Sequence, residues 1–154
     1  RAIVVGYGPV GQTVTELLLD NGIEPTVIEL NLDTVRRLAV FDVRARYGDA
    51  SRPDVLVDAG VTRASYLILT SGAGGLDQEI IRRAKELNPR IHVLARAQYN
   101  HQLSQLQRAG AEDVFAAEGE VALAFTVRIL ERLGATAEQI DRERQRVETM
   151  FREG

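Results

Sequence analysis

Three glycines and one acid carry the chemistry legible in this 154-residue chain. The glycines are Gly6, Gly8 and Gly11, in the run Gly6-Tyr7-Gly8-Pro9-Val10-Gly11, and the acid is Glu29. Each glycine has its own task in a turn that holds a phosphate. Gly6 permits a tight bend, Gly8 lets the backbone approach a pyrophosphate, and Gly11 lets a helix touch a strand. Pro9 suits the first helical position, because its missing N–H would have no intrahelical partner there. The helix N-terminal amides, which carry partial positive charge, then face the phosphate. Glu29 follows the glycines by about 20 residues, the spacing at which a carboxylate accepts hydrogen bonds from a ribose hydroxyl pair. A carboxylate there repels a 2′-phosphate, so NAD, AMP, ADP or ATP fits better than NADP. The competing reading of Glu29 is a solvated strand end.

Elements of the right kind surround these residues. Ala2-Ile3-Val4-Val5 is a short apolar strand running into the glycines, and Val14, Leu17 and Leu18 then fall on one face of a helix. Thr26–Glu29 reads as a second strand, 33–41 as a helix, and Val43–Tyr47 as a third strand closed by Gly48-Asp49. Ser51-Arg52-Pro53-Asp54 resembles a helix start capped by Ser51, with Val55, Leu56 and Ala59 facing inward. Tyr66–Thr70 reads as a central strand buried on both faces. Ser71-Gly72-Ala73-Gly74-Gly75 reads as a flexible loop, before a helix marked by Ile80, Ile81, Ala84 and Leu87 and ended by Asn88-Pro89. Ile91–Ala95, a helix over Gln98–Ala109 and Asp113–Ala116 complete the alternation. Strictly alternating units of this kind predict an α/β, Rossmann-type parallel six-stranded sheet, in the order 3-2-1-4-5-6. Ligands bind outside the carboxyl ends of such strands, where the order reverses. Those ends are Gly6–Gly11, Glu29-Leu30-Asn31, Gly48-Asp49-Ala50 and Thr70-Ser71-Gly72, and they converge on one crevice. Asp49 is either an acceptor for the adenosine half or a turn acid.

The bulk composition narrows the field. With 45% hydrophobic and 27% charged residues, the chain can bury a real core. A net charge of −3 supplies no global attraction to nucleic acid or anionic lipid. Cysteine is absent, which excludes disulfides and thiol chemistry. Lys85 is the only lysine among many arginines, a bias read as genomic or thermal. No His or carboxylate cluster has the spacing of a metal site. No run approaches membrane-spanning length. The chain opens on a strand at Arg1 without an initiator Met, and is read as a piece of something longer.

Residues 118–152 differ in character. Val121, Leu123, Phe125, Val127, Ile129, Leu130 and Leu133 are apolar on more than one side, and a helix apolar all round is expected to be buried all round. Ala137–Arg152 is heavily charged, with a thin stripe of Ile140, Val147 and Met150 or Phe151. The chain is therefore divided into a nucleotide-binding domain, 1–117, and C-terminal helices, 118–154, read as a dimerisation element that crosses to a partner subunit. The alternative is a monomer whose tail folds back.

Several stretches together resemble the RCK N-terminal domain, also called TrkA-N or KTN. They are Ile3-Val4-Val5-Gly6-Tyr7-Gly8, then Tyr47-Gly48-Asp49-Ala50-Ser51-Arg52-Pro53-Asp54-Val55-Leu56, and Ala95-Arg96-Ala97. Leu106–Glu112, running into Glu118–Gly134, is most similar to the cytoplasmic regulatory domain of Kef-type (CPA2) cation:proton antiporters. The resemblance implies an adenine nucleotide, AMP or NAD(H) with ADP or ATP also admitted. Glu29 would meet its ribose and Gly8 and Gly11 its phosphates, with a hydroxyl or backbone contribution near Thr70 and Ser71. Arg96 would face the phosphate or a second ligand at a dimer junction, or else form an interface ion pair. It also implies a homodimer on the cytoplasmic face of a membrane, regulating a potassium transporter on the same full-length chain. Glutathione-gated Kef proteins carry an Arg after Gly-x-Gly and another after Ala-Arg-Ala. Here those positions are Pro9 and Gln98, which argues against glutathione gating.

A Trk or channel-type regulator differs from this reading only in its partner. A nicotinamide oxidoreductase would need an acid–base residue facing the cofactor. His92 and His101 read as surface residues, and Lys85 has no tyrosine four positions ahead of it. The chain is therefore expected to be a sensor, not an enzyme.

Overall fold

The computed structural model describes residues 1–72 and 75–153; Ala73 and Gly74, the centre of the expected flexible loop, lie outside the described residues. Six parallel strands form one sheet: β1 (Ala2–Val5), β2 (Pro25–Glu29), β3 (Arg44–Tyr47), β4 (Tyr66–Leu69), β5 (His92–Ala97) and β6 (Asp113–Ala116). Their order is β3-β2-β1-β4-β5-β6, as the alternating pattern predicts. Helices α1 (Pro9–Asp20), α2 (Leu32–Val40), α3 (Pro53–Asp58), α4 (Asp77–Leu87) and α5 (Leu103–Ala109) connect them. A hairpin of α6 (Ala117–Arg132) and α7 (Ala137–Glu153) follows.

Two apolar layers sandwich the sheet. On one face Val4 and Val27 pack with Leu18 of α1 and Leu38 of α2. On the other Ile3, Ile28, Leu67 and Val93 pack with Leu56 of α3, Ile81 of α4 and Leu106 of α5. Burying each such side chain is worth about 1.5–3 kcal/mol. The result is a rigid platform with every strand ending on the same edge. The register sets Val5 beside Ile28 and Leu69, so that β1, β2 and β4 stop level with one another below the glycine turn.

The local differences from the sequence reading have physical causes. Leu17 points to solvent, because Gly11, Thr15 and Leu18 are the buried stripe of α1. Ser51 does not cap α3; its hydroxyl and amide both donate to Asp49, and Arg52 precedes the helix without a side-chain cap. Tyr66 is half exposed, its ring edge-on to His92, so the outer end of β4 is not buried on both faces. The expected helix over 98–109 begins as a single 3₁₀ turn at Asn100–Gln102, and β5 runs two residues further than expected, to Ala97.

The C-terminal tail folds back. Gly134, at φ +76°, ends α6, and a reciprocal capping pair between Thr136 and Gln139 starts α7. Val147 is buried, and Phe151 rather than Met150 continues the apolar stripe, against Gly119. Within the chain, α7 covers one flank of α6 only. Val121, Phe125, Ile129 and Leu133 form an exposed stripe on α6, one residue per turn.

Candidate functional site

The turn between β1 and α1 is built as the glycine spacing requires. Gly6 sits at φ +97°, where an L side chain is strained, and a Cβ there would press on the Thr70 hydroxyl at 2.9 Å. A Cβ on Gly11 would lie 2.2 Å from the Gly6 carbonyl oxygen, so only glycine lets α1 rest on the strand end. At Gly8, by contrast, a Cβ would meet nothing within 4 Å, leaving the backbone open to an incoming group. Pro9 is the first residue of α1 and Gly8 its N-terminal cap. The free amides of the first turn therefore point out of the helix end toward the crevice.

Glu29 closes the turn from the side. Its Oε2 accepts the Tyr7 amide at 2.9 Å and its Oε1 accepts the Asn31 amide at 3.0 Å. Each oxygen keeps a second lone pair, so the carboxylate is oriented without being used up. Asn31 caps α2, its Oδ1 accepting the Thr34 amide at 3.1 Å. Across the crevice, Asp49 Oδ1 accepts both the amide and the hydroxyl of Ser51, at 2.8 and 2.7 Å. Those two bonds, helped by the charge of Arg52, hold its carboxyl below the usual aspartate range. It is thus a turn acid, with Oδ2 left over.

Together these strand ends enclose a cavity of about 270 Å³. Val5, Ile28 and Ile80 supply its apolar floor. Among the described residues, one hollow of about 690 Å³ lies beside the α6–α7 turn and another of about 310 Å³ lies among the amino ends of β1, β2 and β3, and neither contains the glycine turn or the carboxyl strand ends. Among the described residues, no group of three or more His, Cys, Asp or Glu is placed to hold a metal ion. No helix among the described residues is long and apolar enough to cross a membrane.

A family model for the TrkA-N domain matches residues 2–117. The chain belongs to the TrkA-N domain family. This TrkA-N domain is 35% identical over 137 residues to the glutathione-regulated potassium-efflux system protein KefC of Klebsiella pneumoniae subsp. pneumoniae, a match covering 89% of the chain and 22% of KefC. The chain thus spans a little over a fifth of the length of the curated relatives it matches. Among solved structures, the TrkA-N domain of the Escherichia coli inner membrane protein YbaL superposes with a TM-score of 0.78 at 35% identity, over 81% of this chain and 93% of that one. The Kef C-terminal domain of Shewanella denitrificans, in AMP-bound form, also gives 0.78, at 25% identity, over 99% of this chain and 95% of that one.

Of the residues singled out from the sequence of this TrkA-N domain, Gly6, Tyr7, Gly8, Glu29, Leu30, Asp49, Ala50 and Ser71 line the cavity. Pro9, Val10, Gly11, Asn31, Thr70, Gly72 and Arg96 do not. Thr70 is buried beneath the turn, where its hydroxyl donates to the Val5 carbonyl at 2.9 Å and braces the site. Gly72 packs against β5, and Arg96 directs its guanidinium to the Thr70 carbonyl at 3.3 Å. Gly48 lines the cavity with the strand end on which the sequence places it, whereas Leu76 and, most consequentially, Asp77, the first residue of α4, escape sequence reading. A signal existed: Asp77 lies three residues before Ile80 and so shares its inward face.

Proposed function

We propose that this TrkA-N domain binds an adenine nucleotide, AMP or NAD(H), in the glycine crevice, and that binding regulates a monovalent cation:proton antiporter of which it is the cytoplasmic part. The observation that carries this reading is the oriented carboxylate of Glu29, held by two amides beside a glycine turn whose second glycine is open. A ribose hydroxyl pair suits its outward lone pairs, and a phosphate suits the α1 N-terminus. The AMP-bound Kef domain, similar over nearly the whole chain, supports the nucleotide. KefC, named for potassium efflux, supports the transporter. The crevice has no histidine or lysine in its lining, which favours sensing over hydride transfer. In such a sensor the nucleotide shifts the transporter only as far as its affinities for two states of the domain differ.

The exposed stripe Val121, Phe125, Ile129 and Leu133 is where we place a homodimer interface, with the α6–α7 hairpin as the joining element. Sedimentation velocity checks it: the mass doubles with concentration in the wild type and stays single in Phe125→Asp. For the nucleotide, titration calorimetry with AMP and NAD⁺ is expected to show binding to the wild type. Glu29→Ala is expected to weaken it at least tenfold, about 1.4 kcal/mol, through loss of charge-assisted hydrogen bonds. Equal affinity in the variant would refute the pose.

A further inference from the structure

Asp77 is the member of the crevice that the reading above does not use. It opens α4 and is only 9% exposed. It lines the same cavity as Gly6, Tyr7 and Gly8, and takes no hydrogen bond or ion pair from the described residues. The other titratable groups in that cavity are Tyr7 from the β1–α1 turn, Glu29 from β2 and Asp49 from the end of β3. Helices α3 and α5, which pack on α4, send no charged side chain into it. On its own helix, Glu79 is tied to Arg83 at 3.0 Å. Among the described residues the crevice is therefore lined by three carboxyl groups and no basic side chain, in a space about the size of one nucleotide, while Arg96 of β5 turns its guanidinium to the Thr70 carbonyl beneath.

We propose that Asp77 makes nucleotide binding charge-selective and proton-coupled, so that the crevice accepts ligands carrying few phosphate charges and takes up a proton when it does. This rests on the crevice being the nucleotide site. The physical cause is crowding of like charge away from water. A phosphate at the glycine turn shares a cavity of about 270 Å³ with the Asp77 carboxyl, and no cation stands between them. An ionised Asp77 repels the phosphate; a protonated one donates a hydrogen bond to it. Burial already pushes this carboxyl up to about 6, although a helix N-terminus favours the charged form. An arriving anion pushes it further. At neutral pH the proton comes from the buffer and ends on the carboxylate, and each added phosphate charge meets the same opposition.

The test compares wild type and Asp77→Asn by calorimetry with NAD⁺, whose pyrophosphate does not titrate near neutrality, and with AMP and ATP. In buffers of differing ionisation enthalpy, wild type is expected to take up close to one proton per NAD⁺ at pH 7.5, and the variant none. Wild-type affinity for NAD⁺ is expected to fall up to tenfold per pH unit above pH 6, and the variant's to stay level. The ATP-to-AMP affinity ratio is expected to rise about tenfold in the variant, a ratio that cancels any effect on the adenosine half. Equal proton uptake and equal ratios in the two proteins would overturn the proposal while leaving the nucleotide site standing. If neither protein binds any of the three ligands, the site and the proposal fall together.

Discussion

The two edges of the sheet treat their acids in opposite ways. At the amino edge, carboxylates meet cations. Lys85, from the end of α4, pairs with Glu112 and also donates to the Ile91 carbonyl at 2.6 Å, while Glu112 accepts the Val93 amide at 2.7 Å. His92 Nε2 and Asp113 Oδ2 stand 2.6 Å apart, and Arg1 reaches Glu24 at 3.5 Å. At the carboxyl edge, Glu29 is held by backbone amides, Asp49 by Ser51, and Asp77 by nothing described. The amino edge pairs these carboxylates within the fold. The carboxyl edge orients Glu29 and Asp49 by hydrogen bonds, with Arg52 beside Asp49, and buries Asp77 without a partner among the described residues, which costs stability and leaves it available to a ligand.

The largest effect expected from this contrast belongs to Asp77. Its carboxyl titrates at about 6 in the folded chain against 3.8 when exposed. Between those values the folded state binds more protons, so the stability is complete in acid and is lost as pH rises from about 4 past 6. Two pH units correspond to about 3 kcal/mol. Asp49, whose carboxyl is shifted down, titrates below that window. Urea unfolding at stepped pH is expected to show this decline in the wild type and its absence in Asp77→Asn; parallel curves would break the contrast. Next comes Lys85→Met, expected to lower stability by about 2 kcal/mol by stripping a half-buried carboxylate of its cation, with nucleotide affinity unmoved. Smallest is His92→Gln, at under about 1 kcal/mol, because both partners of that pair are well exposed. A Lys85 substitution that weakened nucleotide binding would show that the two edges are not independent.

How much of this was legible beforehand differs residue by residue. Gly6 and Gly11 were assigned correct mechanical tasks from spacing alone, because a backbone that bends at φ +97° or comes within 2.2 Å of a Cβ position leaves glycine as the choice. Glu29 was found because the length of one βα unit sets how far along the chain the next strand end falls. The orientation of Thr70 is not legible in the sequence. A hydroxyl at a strand end looks the same in sequence whether it faces a ligand or, as here, the Val5 carbonyl beneath. Ser51 differs for a related reason: as a cap it would accept a helix-start amide, whereas here its hydroxyl donates to the neighbouring Asp49 carboxylate. For Asp77 the helical spacing to Ile80 marks an inward face, but only the packing brings that face to the crevice formed by the ends of β1, β2 and β3.

From sequence alone came the strand order, the glycine turn and the acid on the second strand, since periodicity and backbone sterics act over a few residues and act everywhere alike. The tertiary structure decided which acids are paired, which hydroxyls are spent and which flank of α6 is left bare. Those outcomes depend on what long-range packing sets within hydrogen-bond reach. A 3 Å contact between residues sixty positions apart follows from how the whole chain packs.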